Sequence, residues 1–264
     1  MTPDPDRILE LEGIHNFRDY GGYAAADGMR VRRGLLWRSG QHCRATPADL
    51  EAVARLGLRT VIDLRGDSER ARYPCLRPDG FAAEVLFAPG DTARQPAAAV
   101  HEEAAGVVRT AADARAIMVQ TYGTLAWRPV LVASYRLYFE ALAGREGPSL
   151  LHCLAGKDRT GLAAALAHHA LGVHPDDAMA DYMLTNVAGD PERRMASLST
   201  AISRERAAAM EPAALRTLLS VDPSYLAAAL AAIRERHGSL DAYLADVLGV
   251  TAERRAALRA RLLE

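Results

Sequence analysis

Lysine is almost absent from this chain of 264 residues, in which Lys157 stands alone beside 31 arginines. Basic residues number 32 and acidic residues 33, so the formal net charge at pH 7 is −1. Proteins whose main partner is nucleic acid or an anionic membrane normally carry a clear excess of positive charge, so this balance argues against both. No run approaches the roughly 18 consecutive apolar residues of a transmembrane helix.

Cysteine is also scarce, and the three that occur exclude a disulfide framework. None of the eight histidines stands with cysteine at zinc-finger spacing, so no metal is expected. Residues 1–13 are acidic and lack the apolar core of a signal peptide. We therefore expect a cytoplasmic protein, and secretion by a route that needs no signal peptide is left open.

Half of the residues are apolar and a quarter are charged, as in ordinary soluble proteins with a sizeable core. Strands and helices alternate over the first 171 residues and helices fill the remainder, which predicts an α/β fold with mixed or parallel strands. We expect a single domain, 1–264, within which 190–222 is a possible helical lid. The predicted strands are 30–40, 59–65, 83–87 and 148–152, and the predicted helices are 46–57, most of 97–145 with a break near 127–129, 160–171, 175–186, 191–210, 223–237, 239–248 and 251–263.

The most informative segment is His152–Gly161, which reads HCLAGKDRTG and lies between a predicted strand and a predicted helix. The start of a helix exposes unpaired N–H groups and the positive end of its dipole, so a loop at this place can cradle an anion. The residues predicted to bind phosphate are Leu154, Ala155, Gly156, Lys157, Asp158 and Arg159.

The residue types in this loop predict phosphoryl transfer to sulfur and then to water. Cationic surroundings favour a thiolate at Cys153, which makes it the predicted nucleophile. Arg159 can hold two phosphoryl oxygens with its planar fork. Gly156 allows a tight turn, and the Thr160 hydroxyl is expected to hydrogen-bond the sulfur. No metal or other cofactor is needed, and the spacing of an ATP-binding loop is missing.

Of the three cysteines, only Cys153 has arginine at the sixth following position, and that spacing alone is weak evidence. The complete string is far harder to reach by chance. It resembles the active-site loop of cysteine-dependent tyrosine and dual-specificity phosphatases. The Lys157–Asp158 pair is similar to an atypical bacterial branch that acts on phosphotyrosine, phosphoserine/threonine and, in several members, phosphoinositides. Other stretches that resemble this branch are Asn16–Gly22, Leu36–Gly40, Thr60–Arg65 and Asp181–Asn186.

The resemblance implies a central sheet of about four to five mostly parallel strands flanked by helices, with a helix-rich C-terminal half. It also implies that Lys157 binds a second negative group. The general acid is less well determined because the Trp-Pro-Asp loop of larger tyrosine phosphatases is absent. Asp158 ranks slightly ahead of Asp63, which lies near the end of a predicted strand, and Asp91 ranks third.

Neighbouring residues receive supporting roles. We expect His152 to orient the loop through hydrogen bonds, and Arg18 to make structural polar contacts. Arg65 either extends the basic rim of the pocket or pairs with Glu69. Asp19 is expected to make structural contacts. Of His168 and His169, one is expected in the core and one at the surface. Behind the loop we expect a supporting group formed by Asp181, Tyr182 and Asn186.

The sequence therefore predicts a metal-independent phosphatase for a phosphorylated protein, most of all at phosphotyrosine, with lipid phosphates as further substrates. Nucleic acid and an integral membrane are not expected partners. One alternative is a phosphatase of a small phosphorylated metabolite such as a nucleotide. Another is an inactive phosphate-binding module, and a sulfur-transferring enzyme is weaker still.

Overall fold

A computed structural model describes residues 5–92, 108–198 and 210–264. Its sheet has five strands in the order β1-β2-β5-β3-β4, in which β1 runs antiparallel to β2 and the other neighbours are parallel. Helices flank this sheet and fill the C-terminal half, so the α/β prediction with mostly parallel strands is confirmed. The strands are β1 (Arg18–Asp19), β2 (Leu36–Ser39), β3 (Thr60–Asp63), β4 (Glu84–Leu86) and β5 (Ser149–His152).

The register of the central strands determines where the site lies. The last residue of β5, His152, pairs with the last residue of β2, Ser39, and with the last residue of β3, Asp63. All three strands therefore end at the same edge of the sheet. Cys153 follows the middle strand directly and leaves the sheet at the centre of this edge, where α/β folds place their ligands.

The helices follow the capping signals of the sequence. Thr46 and Thr110 each form a capping box with an aspartate three residues later, at the starts of α1 and α3. The helices are α1 (Pro47–Ala54), α2 (Asp67–Arg72), α3 (Ala111–Leu125), α4 (Pro129–Gly144), α5 (Asp158–Leu171), α6 (Pro175–Met183), α7 (Thr185–Ala188), α8 (Pro191–Leu198), α9 (Pro212–Leu219), α10 (Pro223–His237), α11 (Leu240–Ala242) and α12 (Ala252–Leu262), with a π-helical turn at Tyr243–Val247 and 3₁₀ turns at Pro5–Arg7 and Ala26–Gly28.

Neither the two-residue strand β1 nor the short helix α2 was predicted, because neither is long enough to show a period. The helix after the loop begins at Asp158, two residues before its predicted start. The predicted helix 175–186 is divided into α6 and α7. Parts of the helices predicted over 97–145 and 191–210 lie outside the described residues.

The alanine-rich helix α5 lies at the centre of the core. From Thr160 to Leu171, every residue except His169 is buried. Small side chains allow α4, α6, α10 and α12 to approach it closely. The loop that precedes α5 is thereby attached to a helix that is buried in the core. In the described part of the chain, no helix has the length and apolar character to cross a bilayer.

A buried ion cluster lies between the sheet and α6. The Asp181 carboxylate accepts hydrogen bonds from Arg18 at 3.1 Å and from Arg38 at 2.5 Å, and all three side chains are essentially inaccessible to solvent. Burial and the neighbouring Arg38 lower the pKa of Arg18 to about 10, while Asp181 opposes this shift. Burial would raise the pKa of Asp181, but the two guanidinium groups hold it well below its usual range.

Because Asp181 is the shared counter-charge of two buried cations, Asp181→Ala should lower the free energy of unfolding by about 3–5 kcal/mol. Urea-induced unfolding at pH 7 measures this loss. The matched control is Asp241→Ala, whose exposed carboxylate pairs with Arg255 and His169, and which should cost no more than about 1 kcal/mol because solvent screens that pair. Equal small losses in both variants would show that the buried cluster does not stabilise the fold.

Candidate active site

The backbone carbonyls of the loop are turned away from its interior. The carbonyl oxygens of residues 154–156 accept hydrogen bonds from three surrounding residues. The backbone N–H of Gln41 donates to the Leu154 oxygen at 3.0 Å. The Asn16 side-chain amide donates to the second at 3.3 Å and to the third at 2.7 Å. Arg38 Nη2 also donates to the third, at 3.1 Å.

In a trans peptide the N–H points opposite to the preceding C=O. The amides of Ala155, Gly156 and Lys157 therefore point to the interior of the loop. Neither Ala155 nor Gly156 donates a backbone hydrogen bond within the described ranges. Convergent N–H groups of this kind form a preorganised cradle for an anion.

Gly156 permits this arrangement. Its φ is +64°, and a Cβ at this position would lie only 2.4 Å from the carbonyl oxygen of Ser39 at the end of β2. Any larger residue would push the loop away from the sheet edge. The prediction that Gly156 makes a tight turn is confirmed.

Arg159, in the first turn of α5, is held by a carboxylate that the sequence did not identify as its partner. Nη1 and Nη2 donate to Glu69 at 2.5 and 2.8 Å. Nη1 also donates to the Thr92 hydroxyl at 2.9 Å and to the Leu64 carbonyl at 3.2 Å. Nε makes no hydrogen bond with the described part of the chain, which leaves it available to an anion.

The charges around Arg159 raise its pKa, and Cys153 is among them. Burial would lower the pKa of Arg159, but the hydrogen bonds and charge of Glu69, followed by the charges of Cys153 and Asp158, raise it above its ordinary value. Burial would raise the pKa of Glu69, and Arg159 lowers it. The guanidinium therefore stays charged next to Cys153, which is itself 1% exposed.

The predicted pair between Arg65 and Glu69 is wrong. Arg65 instead forms a two-pronged ion pair with Asp63, with Nε–Oδ1 at 2.9 Å and Nη2–Oδ2 at 2.7 Å. That Arg65 extends the basic rim of the pocket stays a prediction. Burial would raise the pKa of Asp63, but His152 and Arg65 hold it well below its usual range. A carboxylate that remains ionised in this way is a poor proton donor.

The other two acid candidates have different surroundings. The side chain of Asp158 is 28% exposed, and its Oδ1 lies 2.9 Å from the Tyr122 hydroxyl and 3.4 Å from Lys157 Nζ. Asp91 is exposed and accepts two hydrogen bonds from Ser68, which lower its pKa. Of the three, only Asp158 belongs to the loop itself.

The Lys157 ammonium contacts the chain's own carbonyls. Nζ donates to the backbone oxygens of Leu218 and Ser220, the latter at 3.3 Å, and the residue is 3% exposed. Lys157 thereby ties the loop to the C-terminal end of α9, inside the segment predicted to form a lid. Residues 199–209 of that segment lie outside the described part, and both the lid and the second-anion role of Lys157 stay predictions.

Two predictions about hydrogen bonds are wrong. The Thr160 hydroxyl is buried and has no hydrogen-bond partner within the described residues, so it does not bond the Cys153 sulfur. Neither ring nitrogen of His152 has a described partner of normal geometry. The ring instead packs on His42, with centroids 5.6 Å apart, and Nε2 lies 3.8 Å from Asp63 Oδ2. His152 shapes the loop by packing.

Several structural roles predicted for the other motifs are observed. Arg18 and Asp181 support the loop through the ion cluster. Asn186, predicted to belong to the same buttress, instead exchanges two hydrogen bonds with the backbone of Val221, which lies outside the loop. His168 is buried against the Tyr20 carbonyl, whereas His169 contacts Asp241 at the surface. Asp19 accepts from the backbone amides of Gly21 and Gly34. No three metal-ligating side chains are grouped to hold an ion in the part of the chain that is described.

Comparison with known proteins agrees with this geometry. Residues 9–264 match the family described as "Tyrosine phosphatase family". The chain belongs to this tyrosine phosphatase family. It is 38% identical to a Cupriavidus necator protein that carries a tyrosine-protein phosphatase name, over 92% of this chain and 84% of that protein. It is 34% identical to the triple specificity protein phosphatase PtpB of Mycobacterium tuberculosis, over 90% of this chain and 93% of that protein.

Crystal structures of TpbA from P. aeruginosa are also similar. One is a complex with pTyr, with 20% identity, a TM-score of 0.34, and coverage of 69% of this chain and 80% of that chain. The other has 20% identity and a TM-score of 0.32, and the match covers 79% of this chain and 97% of that chain. The family match and the relatives from Cupriavidus necator and Mycobacterium tuberculosis together identify the chain as a tyrosine phosphatase-like enzyme.

Acid should destabilise the enzyme through His152. Burial lowers its pKa to about 4, Arg65 and Arg77 act in the same direction, and Asp63 opposes them. Because the folded value lies below the unfolded one of about 6.5, the stabilisation is complete above pH 6.5 and is lost as the pH falls towards 4, by about 3 kcal/mol at most. In urea unfolding between pH 7 and 4.5, His152→Asn should reduce this decline. An unchanged decline in the variant would contradict the assignment.

Glu69 should matter for activity through Arg159. Glu69→Gln removes the charge that holds the guanidinium, so kcat/KM for p-nitrophenyl phosphate should fall about tenfold and inorganic phosphate should inhibit more weakly. The control is Glu84→Gln, which removes a carboxylate from the surface pair with Arg145 and should change neither value. If the two variants behave alike, Glu69 does not position Arg159 for phosphate.

Proposed function

We propose that this enzyme hydrolyses phosphomonoesters, phosphotyrosine above all, through a phosphocysteine intermediate. The observation that carries the proposal is the cradle of three inward N–H groups beside Cys153, with the Arg159 guanidinium at its edge. Phosphoryl transfer needs little beyond a nucleophile in line and fixed positive charge around the equatorial oxygens. The loop supplies both from its own backbone and side chains.

The proposed reaction has two steps. The Cys153 thiolate attacks phosphorus, and the bond from phosphorus to the ester oxygen breaks while Asp158 gives its proton to that oxygen. Water then attacks the phosphocysteine and gives a proton to Asp158, and the P–S bond breaks to release inorganic phosphate and the thiolate. The amides of residues 155–157 and Arg159 hold the phosphoryl oxygens throughout.

Asp158 is assigned as the acid because of where the three candidates lie. Asp63 is committed to Arg65 and stays ionised, and Asp91 lies on an exposed turn bonded to Ser68. Asp158 lies in the loop, is partly open to solvent, and is next to the arginine that binds the phosphoryl group. A donor at this place can reach the ester oxygen that leaves from the same phosphorus.

The breadth of substrate choice is the finer part of the proposal. The name of PtpB states a triple specificity for that protein. For this chain we propose activity on phosphotyrosine first, with phosphoserine, phosphothreonine and phosphoinositides as further substrates. A second anion on a lipid would have to draw Lys157 away from the carbonyls of Leu218 and Ser220.

Cys153→Ser should lower turnover of p-nitrophenyl phosphate by at least about 10³-fold while phosphate binding persists, because the cradle remains and only the nucleophile changes. Mass spectrometry after rapid acid quench should find a phosphorylated peptide containing Cys153 in the wild type. Cys43→Ser, at a half-buried cysteine without an arginine clamp, is the control and should keep full turnover.

Wild-type turnover in Cys153→Ser, or failure to trap phosphocysteine under burst conditions, would contradict the mechanism. A screen of phosphopeptides, phosphoinositides and nucleotides tests the substrate class separately. Preference for a nucleotide by several orders of magnitude would replace the protein-phosphatase proposal with that of a metabolite phosphatase.

A further inference from the structure

Two buried tyrosines reach the Asp158 carboxylate from inside the protein. The Tyr122 hydroxyl donates to Asp158 Oδ1 at 2.9 Å, and the Tyr182 hydroxyl donates to the Tyr122 oxygen at 2.8 Å. Tyr122 is 0% exposed and Tyr182 is 1% exposed. The chain of hydroxyls therefore ends at the one side chain that the proposed mechanism uses as an acid.

The three groups come from different helices, so their meeting is a property of the packed core. Tyr122 lies on α3, Tyr182 on α6 and Asp158 at the start of α5. The two rings meet nearly edge to face, 6.2 Å apart at 79°. Gly161 makes room for this contact, because a Cβ there would lie 2.9 Å from two carbons of the Tyr182 ring.

The contacts on Asp158 are unequal between its two oxygens. Tyr122 and Lys157 both approach Oδ1, whereas Oδ2 makes no hydrogen bond within the described residues. Burial, with the charges of Asp158 and Tyr182, raises the pKa of Tyr122 well above its ordinary value, so its hydroxyl keeps its proton and donates. One oxygen is thus held by the tyrosine, while the other has no hydrogen-bond partner among the described residues.

We propose that Tyr122 is a positioning residue, which fixes the rotamer of Asp158 so that Oδ2 can protonate the leaving oxygen. Tyr182 fixes Tyr122 in turn. This inference rests on the proposed role of Asp158 as the acid. It adds that the acid is oriented by a buried hydroxyl chain and not by residues of the loop alone.

The test compares two leaving groups. Phenolate is a poor leaving group and needs a proton, whereas 2,4-dinitrophenolate leaves without one. Asp158→Asn should lower kcat/KM for phenyl phosphate about 100-fold and change kcat/KM for 2,4-dinitrophenyl phosphate little, because kcat/KM covers only the steps up to departure of the leaving group and not the later attack by water. Tyr122→Phe should show the same selectivity at about tenfold, because the acid is present but poorly oriented. In the Asp158→Asn background, Tyr122→Phe should cause no further loss.

Tyr138→Phe is the matched control, since it removes another buried hydroxyl, bonded to that of Tyr20 and not to Asp158. It should not change the ratio of the two rates. Tyr182→Phe provides a second variant if Tyr122→Phe does not fold, and it should shift the ratio in the same direction by a smaller factor.

Equal losses on both substrates in Tyr122→Phe, with Asp158→Asn selective, would overturn the positioning role and leave the acid assignment standing. A ratio that stays unchanged in Asp158→Asn would overturn the acid assignment, and the role of Tyr122 with it. A loss that Tyr122→Phe adds in the Asp158→Asn background would show that the tyrosine acts on something other than the acid.

Discussion

The site depends on one constraint, which is that three consecutive carbonyls of the loop face outward. A free loop would not keep them so, because each peptide can turn its N–H to solvent equally well. Asn16 and Arg38 impose the orientation from one side of the loop. Arg38 is itself fixed by Asp181, and Arg18 links that carboxylate to Asn16. Four buried polar side chains thus decide which way the amides point.

This constraint explains why the stretches that resemble the phosphatase branch are scattered along the chain. Three of the four stretches contribute residues to the same place behind the loop: Asn16 and Arg18 near the start, Arg38 at the end of β2, and Asp181 on α6. Asn16 and Arg38 bind the carbonyl side of the loop, and Arg18 and Asp181 hold them in place. Their side chains pair each buried charge with an opposite charge and give each buried carbonyl a hydrogen-bond donor. An unpaired charge or carbonyl in this interior would destabilise the fold.

The sequence predicts the loop well because its information is local: a strand, an anion-binding turn and a helix start follow one another within about twenty residues. Partners across the fold were missed. Glu69 and Tyr122 reach the loop from 90 and 36 residues away, and nothing in their own neighbourhood signals it. The error at Arg65 was avoidable, because residues 63 and 65 lie on one side of an extended chain, which favours their pairing.

The lone lysine lies in a confined space beside the loop, where it is 3% exposed. In this structure Arg159 is matched by Glu69 and Lys157 by Asp158, so the two cations at the loop are neutralised. A compact ammonium can contact two carbonyls and a carboxylate in this confined space, where a flat guanidinium fork has no such freedom.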